Sequence, residues 1–185
     1  LKEDSWITRG LSDEYKKEEI EKHRTSQSRY RDNRGRLYLK SYRNNEKVKE
    51  GSLSTFCGCY LKKDTIKIQM SMVMSNIFSI DIKKNTFNSY FTEDEHENYV
   101  YKKSIKDTTY YDNLKIKNSK QTLVLSKSPT FKVGNKLFGF IEFKSKDFYK
   151  MEGWESGLNG DSKLNTLFTE GIVIFKCNII KNPND

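Results

Sequence analysis

Ile66-Lys67-Ile68-Gln69-Met70-Ser71-Met72-Val73-Met74 sets Ile66, Ile68, Met70, Met72 and Met74 at every second position, with Lys67, Gln69, Ser71 and Val73 between them. A period of two sends alternate side chains to opposite faces of an extended chain, so this stretch reads as a half-buried strand. The pattern recurs. Leu37 and Leu39 alternate with Tyr38 and Lys40, and Phe78, Ile80 and Ile82 alternate with Ser79 and Asp81. Further strands are read at Tyr99–Ile105, Leu114–Lys117, Thr122–Leu125, Phe131–Val133, Leu137–Phe143 and Ile172–Ile180. Turn chemistry at Lys63-Asp64, Lys84-Asn85, Asp112-Asn113, Asn118-Ser119 and Gly134-Asn135 divides them. Strands so short and so regularly spaced, without intervening helices, point to an antiparallel sandwich or barrel. The expected fold is mainly β: an antiparallel β-sandwich of about eight or nine strands, preceded by a short helical arm.

Composition agrees. The 185 residues contain no alanine, the best helix former, while Ile, Tyr, Phe and Thr, which suit strands, are plentiful. The length fits one domain with its own core, and the 13% aromatic content argues against disorder. No apolar run approaches the ~18 residues of a membrane helix, and no signal segment opens the chain. A start at Leu1 without Met reads as a trimmed or mature form.

The net charge of +9 is local. Residues 22–49 hold ten basic side chains against two acidic ones, and the rest of the chain is nearly balanced. Six of the seven arginines lie between Arg24 and Arg43. A bias toward lysine codons cannot cluster arginine, and guanidinium groups pair with carboxylates and phosphates through a planar fork. Arg29, Arg31, Arg34, Arg36 and Arg43, with Tyr30 and Tyr38 as anchors, are therefore candidate contacts for an anionic or acidic protein surface. A solvated arm explains the same charge run. Nucleic acid is a weaker reading, because no nucleic-acid motif accompanies the cluster. Residues 1–35 are read as this arm and residues 36–185 as the β body. Within the arm Ser12 caps a short helix, Asp13 and Glu14 suit its first turn, and Glu18 faces Lys22 one turn on. Leu11, Tyr15 and Ile20 supply a thin apolar face.

Chemistry is sparse. His23 and His96 form no ligand-spaced pair, and Glu93 to Glu97 lacks the spacing and glycine of a calcium loop. Met70, Met72 and Met74 read as core filling. Cys57-Gly58-Cys59 puts two thiols on one strand face, and either could bond Cys177 on the last strand in an oxidising compartment, leaving one free. Three cysteines are too few ligands for a zinc site. Gly153 to Asp161 is a glycine-rich loop around Trp154; with Tyr149 beside it, it is a candidate ligand loop for a glycan or small anion. A hydrolase would need carboxylates that converge only in the fold, Glu142 or Asp147 with Glu155. No metal, no cofactor and no enzymatic activity is expected.

Ser54-Thr55-Phe56-Cys57-Gly58-Cys59-Tyr60 with Asp64-Thr65-Ile66-Lys67-Ile68, Thr122-Leu123-Val124-Leu125-Ser126-Lys127 with Pro129-Thr130-Phe131-Lys132-Val133-Gly134, Gly139-Phe140-Ile141-Glu142-Phe143 and Gly171-Ile172-Val173-Ile174-Phe175-Lys176-Cys177 together resemble uncharacterised exported bacterial lipoproteins with a β-sandwich-like body. The resemblance spans residues 52–178. It implies a cell-envelope location, periplasmic or membrane-anchored through a lipid on a residue before Leu1, and a link from the C-G-C pair to Cys177. It carries over no catalytic residue. The function expected is non-enzymatic surface recognition, in its most specific form an immunity- or inhibitor-like protein that blocks an acidic-faced partner.

Overall fold

A computed structural model describes residues 33–72, 76–94, 99–152 and 163–182. Strand takes up 74% of them, with no helix among them. The strands are β1 (Arg34–Arg43), β2 (Glu46–Lys62), β3 (Thr65–Ser71), β4 (Asn76–Ile82), β5 (Phe87–Asp94), β6 (Tyr101–Lys102), β7 (Asn113–Leu125), β8 (Lys136–Ser145), β9 (Phe148–Glu152) and β10 (Lys163–Lys181). The expected helix over Ser12 to Lys22 lies outside the described residues.

The antiparallel β architecture is present. Its strands form one continuous sheet rather than the two stacked sheets of a sandwich. Hydrogen bonding runs β1-β2-β3-β4-β5-β7-β8-β10, and β10 pairs back onto β1, from Arg34↔Lys176 to Arg43↔Leu167. Eight staves therefore close a barrel in which each of these strands has two partners. Closure removes the free edges that an open sheet must protect. β9 continues the line of β8 past Lys146 and Asp147, so that Lys144 faces Glu170 and Phe148 faces Leu167. Together β8, β9 and β10 form one long hairpin; Trp154 and its neighbours, residues 153–162, lie outside the described residues. Short β6 pairs with β9.

The inward set of each strand makes the core. Leu37, Cys57, Cys59, Ile66, Ile68, Met70, Phe78, Ile80, Leu114, Leu137, Ile141, Val173, Phe175 and Ile179 are all buried in one cluster. Phe143 anchors it, with ring centroids 4.6 Å from Phe78 and 6.1 Å from Phe91. Side chains thus fill the inside, as in other small barrels. The tight joins follow from local chemistry. Asn44 and Asn45, with φ of 49° and 69°, make the β1–β2 turn, and Lys63, with φ of 53°, sits in the β2–β3 turn. Asparagine tolerates this left-handed region better than most residues.

Several strand limits differ from the sequence reading. Asn118-Ser119 is no turn: β7 runs straight through it, with a bulge against β8 between Asn118 and Lys120. Asn118 points inward by the same alternation as Leu114 and Ile116, and the bulge after it brings Gln121 to that face: Asn118 Nδ2 donates to Ser89 Oγ at 2.6 Å, and Ser89 Oγ donates to Gln121 Oε1 at 2.7 Å. A buried polar network thus replaces the expected break. Phe131–Val133 forms no strand, and only Tyr101–Lys102 of Tyr99–Ile105 pairs, leaving Ile105 exposed. β1 begins at Arg34, so Arg34 and Gly35 belong to the barrel wall.

Candidate functional site

The outward set of β1 carries Arg34, Arg36, Tyr38, Lys40 and Tyr42, because Leu37 and Leu39 point to the core. Register extends this line into rows across the wall. Arg34 lies between Phe56 of β2 and Lys176 of β10, Tyr38 between Ser52 and Ile172, and Lys40 between Glu50 and Glu170. Beyond β10 the rows continue onto β8, where Ile172 pairs with Glu142 and Ile174 with Phe140. Val124, Phe140, Ile172 and Ile174, at outward positions, form a second buried apolar cluster against which Tyr38 and Phe138 pack.

Two ends of this wall differ. At one end lies a groove of about 440 Å³ lined by Tyr38, Lys40, Glu50, Ser52, Glu142 and Glu170. Its charges are already matched. Lys47 Nζ sits 2.6 Å from Glu50 Oε2, and Lys40 Nζ 3.8 Å from Glu50 Oε1. The Lys47 hydrogen bond holds the Glu50 carboxyl below its ordinary range and raises the Lys47 ammonium. Tyr42 Oη donates to Glu170 Oε1 at 2.9 Å, which raises the phenol, and its ring stacks on Phe168 at 4.5 Å. Lys144 Nζ covers the Phe168 ring at 3.8 Å. A general acid needs a carboxyl pushed up toward neutrality. Glu50 is pushed the other way, and Glu142 is itself engaged.

At the other end the chemistry is basic and aromatic. Phe56 stands outward on β2 with 65% of its surface exposed, and Ile180, paired with Tyr60, is 46% exposed. Gly58 lies between Phe56 and Tyr60 on the same face. A Cβ there would come within 2.5 to 2.8 Å of the far end of the Tyr60 side chain, so the missing side chain is the bed on which that ring lies. The charged ladder neighbours of this patch are Arg34, beside Phe56, Lys176, beside Arg34, Lys67, beside Tyr60, and, beyond Lys67, the single acidic residue Asp81. Arg36 Cζ lies 5.2 Å from the Tyr38 ring centroid, and its Nη2 donates to Ser52 Oγ at 3.4 Å.

The structure therefore sorts the candidate residues. Arg34, Arg36 and Tyr38 share one outward line. Arg43 sits at the far end of β1, about 30 Å from Arg34 at ~3.4 Å per residue, beyond the Glu50 and Glu170 end. Arg29, Tyr30 and Arg31 lie outside the described residues, as do His23, His96, Met74, Trp154 and Glu155. Tyr149 is half-buried on β9, paired with Thr166 and Lys102. Glu142 lines the groove and Asp147 sits at the break between β8 and β9, while Glu155, the carboxylate expected to meet one or the other, is among the residues not described. Glu93 and Asp94 end β5. Met70 is core, but Met72 is 45% exposed at the end of β3. Phe56 and Tyr60 escaped the sequence reading. The signal for them was Gly58 itself, a glycine in mid-strand with aromatics two residues to either side.

The cysteines close the seam. Asn33, with φ of 83°, accepts a hydrogen bond from Cys57 N on its carbonyl oxygen and one from Asn178 N on Oδ1, wedging apart β2 and β10. Past this wedge the two strands meet in a short parallel ladder, Ile179↔Cys59 to Lys181↔Leu61. Cys59 and Cys177 form a disulfide there, with Cα atoms 5.8 Å apart, and Cys57 is free and buried.

No family model, curated protein or solved structure matches this chain.

Proposed function

We propose that this chain is a non-enzymatic binding protein of the cell envelope, which recognises an acidic-faced protein and blocks it in the manner of an immunity or inhibitor protein. One observation carries the reading. Exposed Phe56, with Tyr60 and Ile180, is bordered in the ladder by Arg34, Lys176 and Lys67. Aromatic and arginine side chains supply the energetic centres of protein interfaces, and like-signed charge around them steers an oppositely charged partner. The Cys59–Cys177 bond supports an oxidising compartment such as the envelope.

The test is capture from the native host by immobilised protein, with Arg34→Glu/Arg36→Glu and Phe56→Ala variants checked for unchanged circular dichroism. Wild type should retain an acidic protein. The charge reversal should slow its association at least ~10-fold at low salt, with a smaller difference at high salt. Phe56→Ala should mainly speed dissociation. Identical binding by all three proteins overturns the reading.

A further inference from the structure

The interior face of β2 carries a group of atoms that the binding surface does not use. The Sγ atoms of Cys57, Cys59 and Cys177 all lie within 4.8 Å of one another, and all three residues are buried. Two of them already form a bond. The third is placed to compete for it.

Strand geometry decides which competition is open. Cys57 and Cys59 are two residues apart on one extended strand, so their Cα atoms stand about 6.6–6.8 Å apart, at the outer limit for a disulfide. Cys177 is different. The parallel register pairs Ile179 with Cys59, and the same register carried back two residues sets Cys177 level with Cys57. Asn33 holds the strands apart at this level through its bonds to Cys57 N and Asn178 N, yet the three sulfurs still converge inside the barrel.

We propose that Cys57 is a second partner for Cys177, so that the seam disulfide exchanges between Cys59–Cys177 and Cys57–Cys177. In the step, the Cys57 thiolate attacks Cys177 Sγ. A Cys57–Cys177 bond forms as the Cys59–Cys177 bond breaks, and Cys59 leaves as the thiolate and takes up the proton that Cys57 released. One disulfide and one thiol stand on each side, so no oxidant, reductant or other reactant is consumed. The exchange moves the link by two residues along β2, from the parallel ladder to the Asn33 wedge, and the barrel stays closed in both forms. Burial raises the Cys57 thiol well above its ordinary range, which keeps the thiolate scarce and the exchange slow near neutral pH.

Thiol counting and peptide mapping test this. After oxidative folding, wild type should show one free thiol, Cys57→Ser none, Cys59→Ser none and Cys177→Ser two. A Cys59→Ser protein that is folded by circular dichroism but keeps two free thiols overturns the proposal. Wild type gives a second reading that needs no variant. Intact protein is held at a series of alkaline pH values without added thiol, quenched in acid, alkylated and digested under non-reducing conditions. Both isomers join the same two tryptic peptides, so fragmentation across Gly58 assigns the linked cysteine. The Cys57–Cys177 isomer should appear at an initial rate rising about 10-fold per pH unit, as expected for a single thiolate below its pKa. A map showing Cys59–Cys177 alone at every pH overturns the proposal.

Discussion

There is no room for a methyl group at Gly171. A Cβ there would run into the carbonyl oxygen of Tyr38 and lie 3.1 Å from Tyr38 C and 3.2 Å from Leu39 Cα. All of these are main-chain atoms of the neighbouring stave, which cannot swing aside as a side-chain end can. Gly51 is the natural control. Leu39 pairs with Gly171 on one side and Gly51 on the other, and a Cβ at Gly51 meets nothing within 4 Å. Gly171→Ala should cost ~2 kcal/mol through forced backbone shifts, lowering Tm by about 4–8 °C for a chain of this size. Gly51→Ala should leave Tm within about 2 °C of wild type or raise it slightly, since alanine loses less chain entropy on folding. Equal effects from the two substitutions in thermal melts would show that the close approach at Gly171 does not constrain the wall. At this scale the sequence was half legible. The C-G-C spacing limited the bond to Cys177 with either Cys57 or Cys59, but two thiols on one strand face cannot be ranked without knowing where β10 meets β2. The aromatic bed at Gly58 was written in the sequence too, but the glycine was read only for the cysteines beside it.

Elements were legible where a turn is built from its own residues. Lys63-Asp64, Lys84-Asn85 and Gly134-Asn135 fall between strands as read, and Gly134 takes φ of 91°. Asn118-Ser119 carries the same local signal, yet Asn118 stays in the ladder opposite Ser145 of β8 and its side chain bonds Ser89 of β5. A polar pair cannot reveal whether it will face solvent in a turn or a buried serine on the neighbouring strand. Asn44-Asn45 is the opposite case, a true turn with no glycine or proline to announce it. Positive φ at both central positions is the geometry of the tight hairpin turns that match strand twist. The two asparagines divide the work. Asn44 ties the turn to β10, its Nδ2 donating to Asn165 Oδ1 at 2.9 Å and its Oδ1 accepting from Thr166 N at 3.0 Å. Asn45, exposed, has the backbone role. Asn45→Gly should therefore hold or raise stability, whereas Asn45→Val, with a branched Cβ at φ of 69°, should cost ~1–2 kcal/mol in denaturant titration. A Val variant as stable as the Gly variant would mean that the left-handed conformation is not what the turn demands.

At the scale of the whole molecule, strand count and spacing could not separate a sandwich from a barrel, since both are made of short antiparallel strands with one apolar face. What separates them is the ladder between the first and last strands, a pairing more than a hundred residues apart that no local pattern encodes. The disulfide acts on this seam. It joins residues 118 apart, on the two strands that Asn33 wedges apart where β1 begins. A crosslink that closes so long a loop removes many open conformations from the unfolded chain, an effect worth ~4–5 kcal/mol in the chain-entropy account. Full reduction should therefore lower the unfolding free energy by about that much and shift the guanidinium midpoint downward. The Cys177→Ser protein should match reduced wild type, because it has lost the partner common to both linkages. The Cys59→Ser protein should fall close to oxidised wild type if Cys57 takes over the link, and close to reduced wild type if it does not. A reduced protein within ~1 kcal/mol of the oxidised one would mean that the β1–β10 ladder and the filled core close the barrel without help from the crosslink.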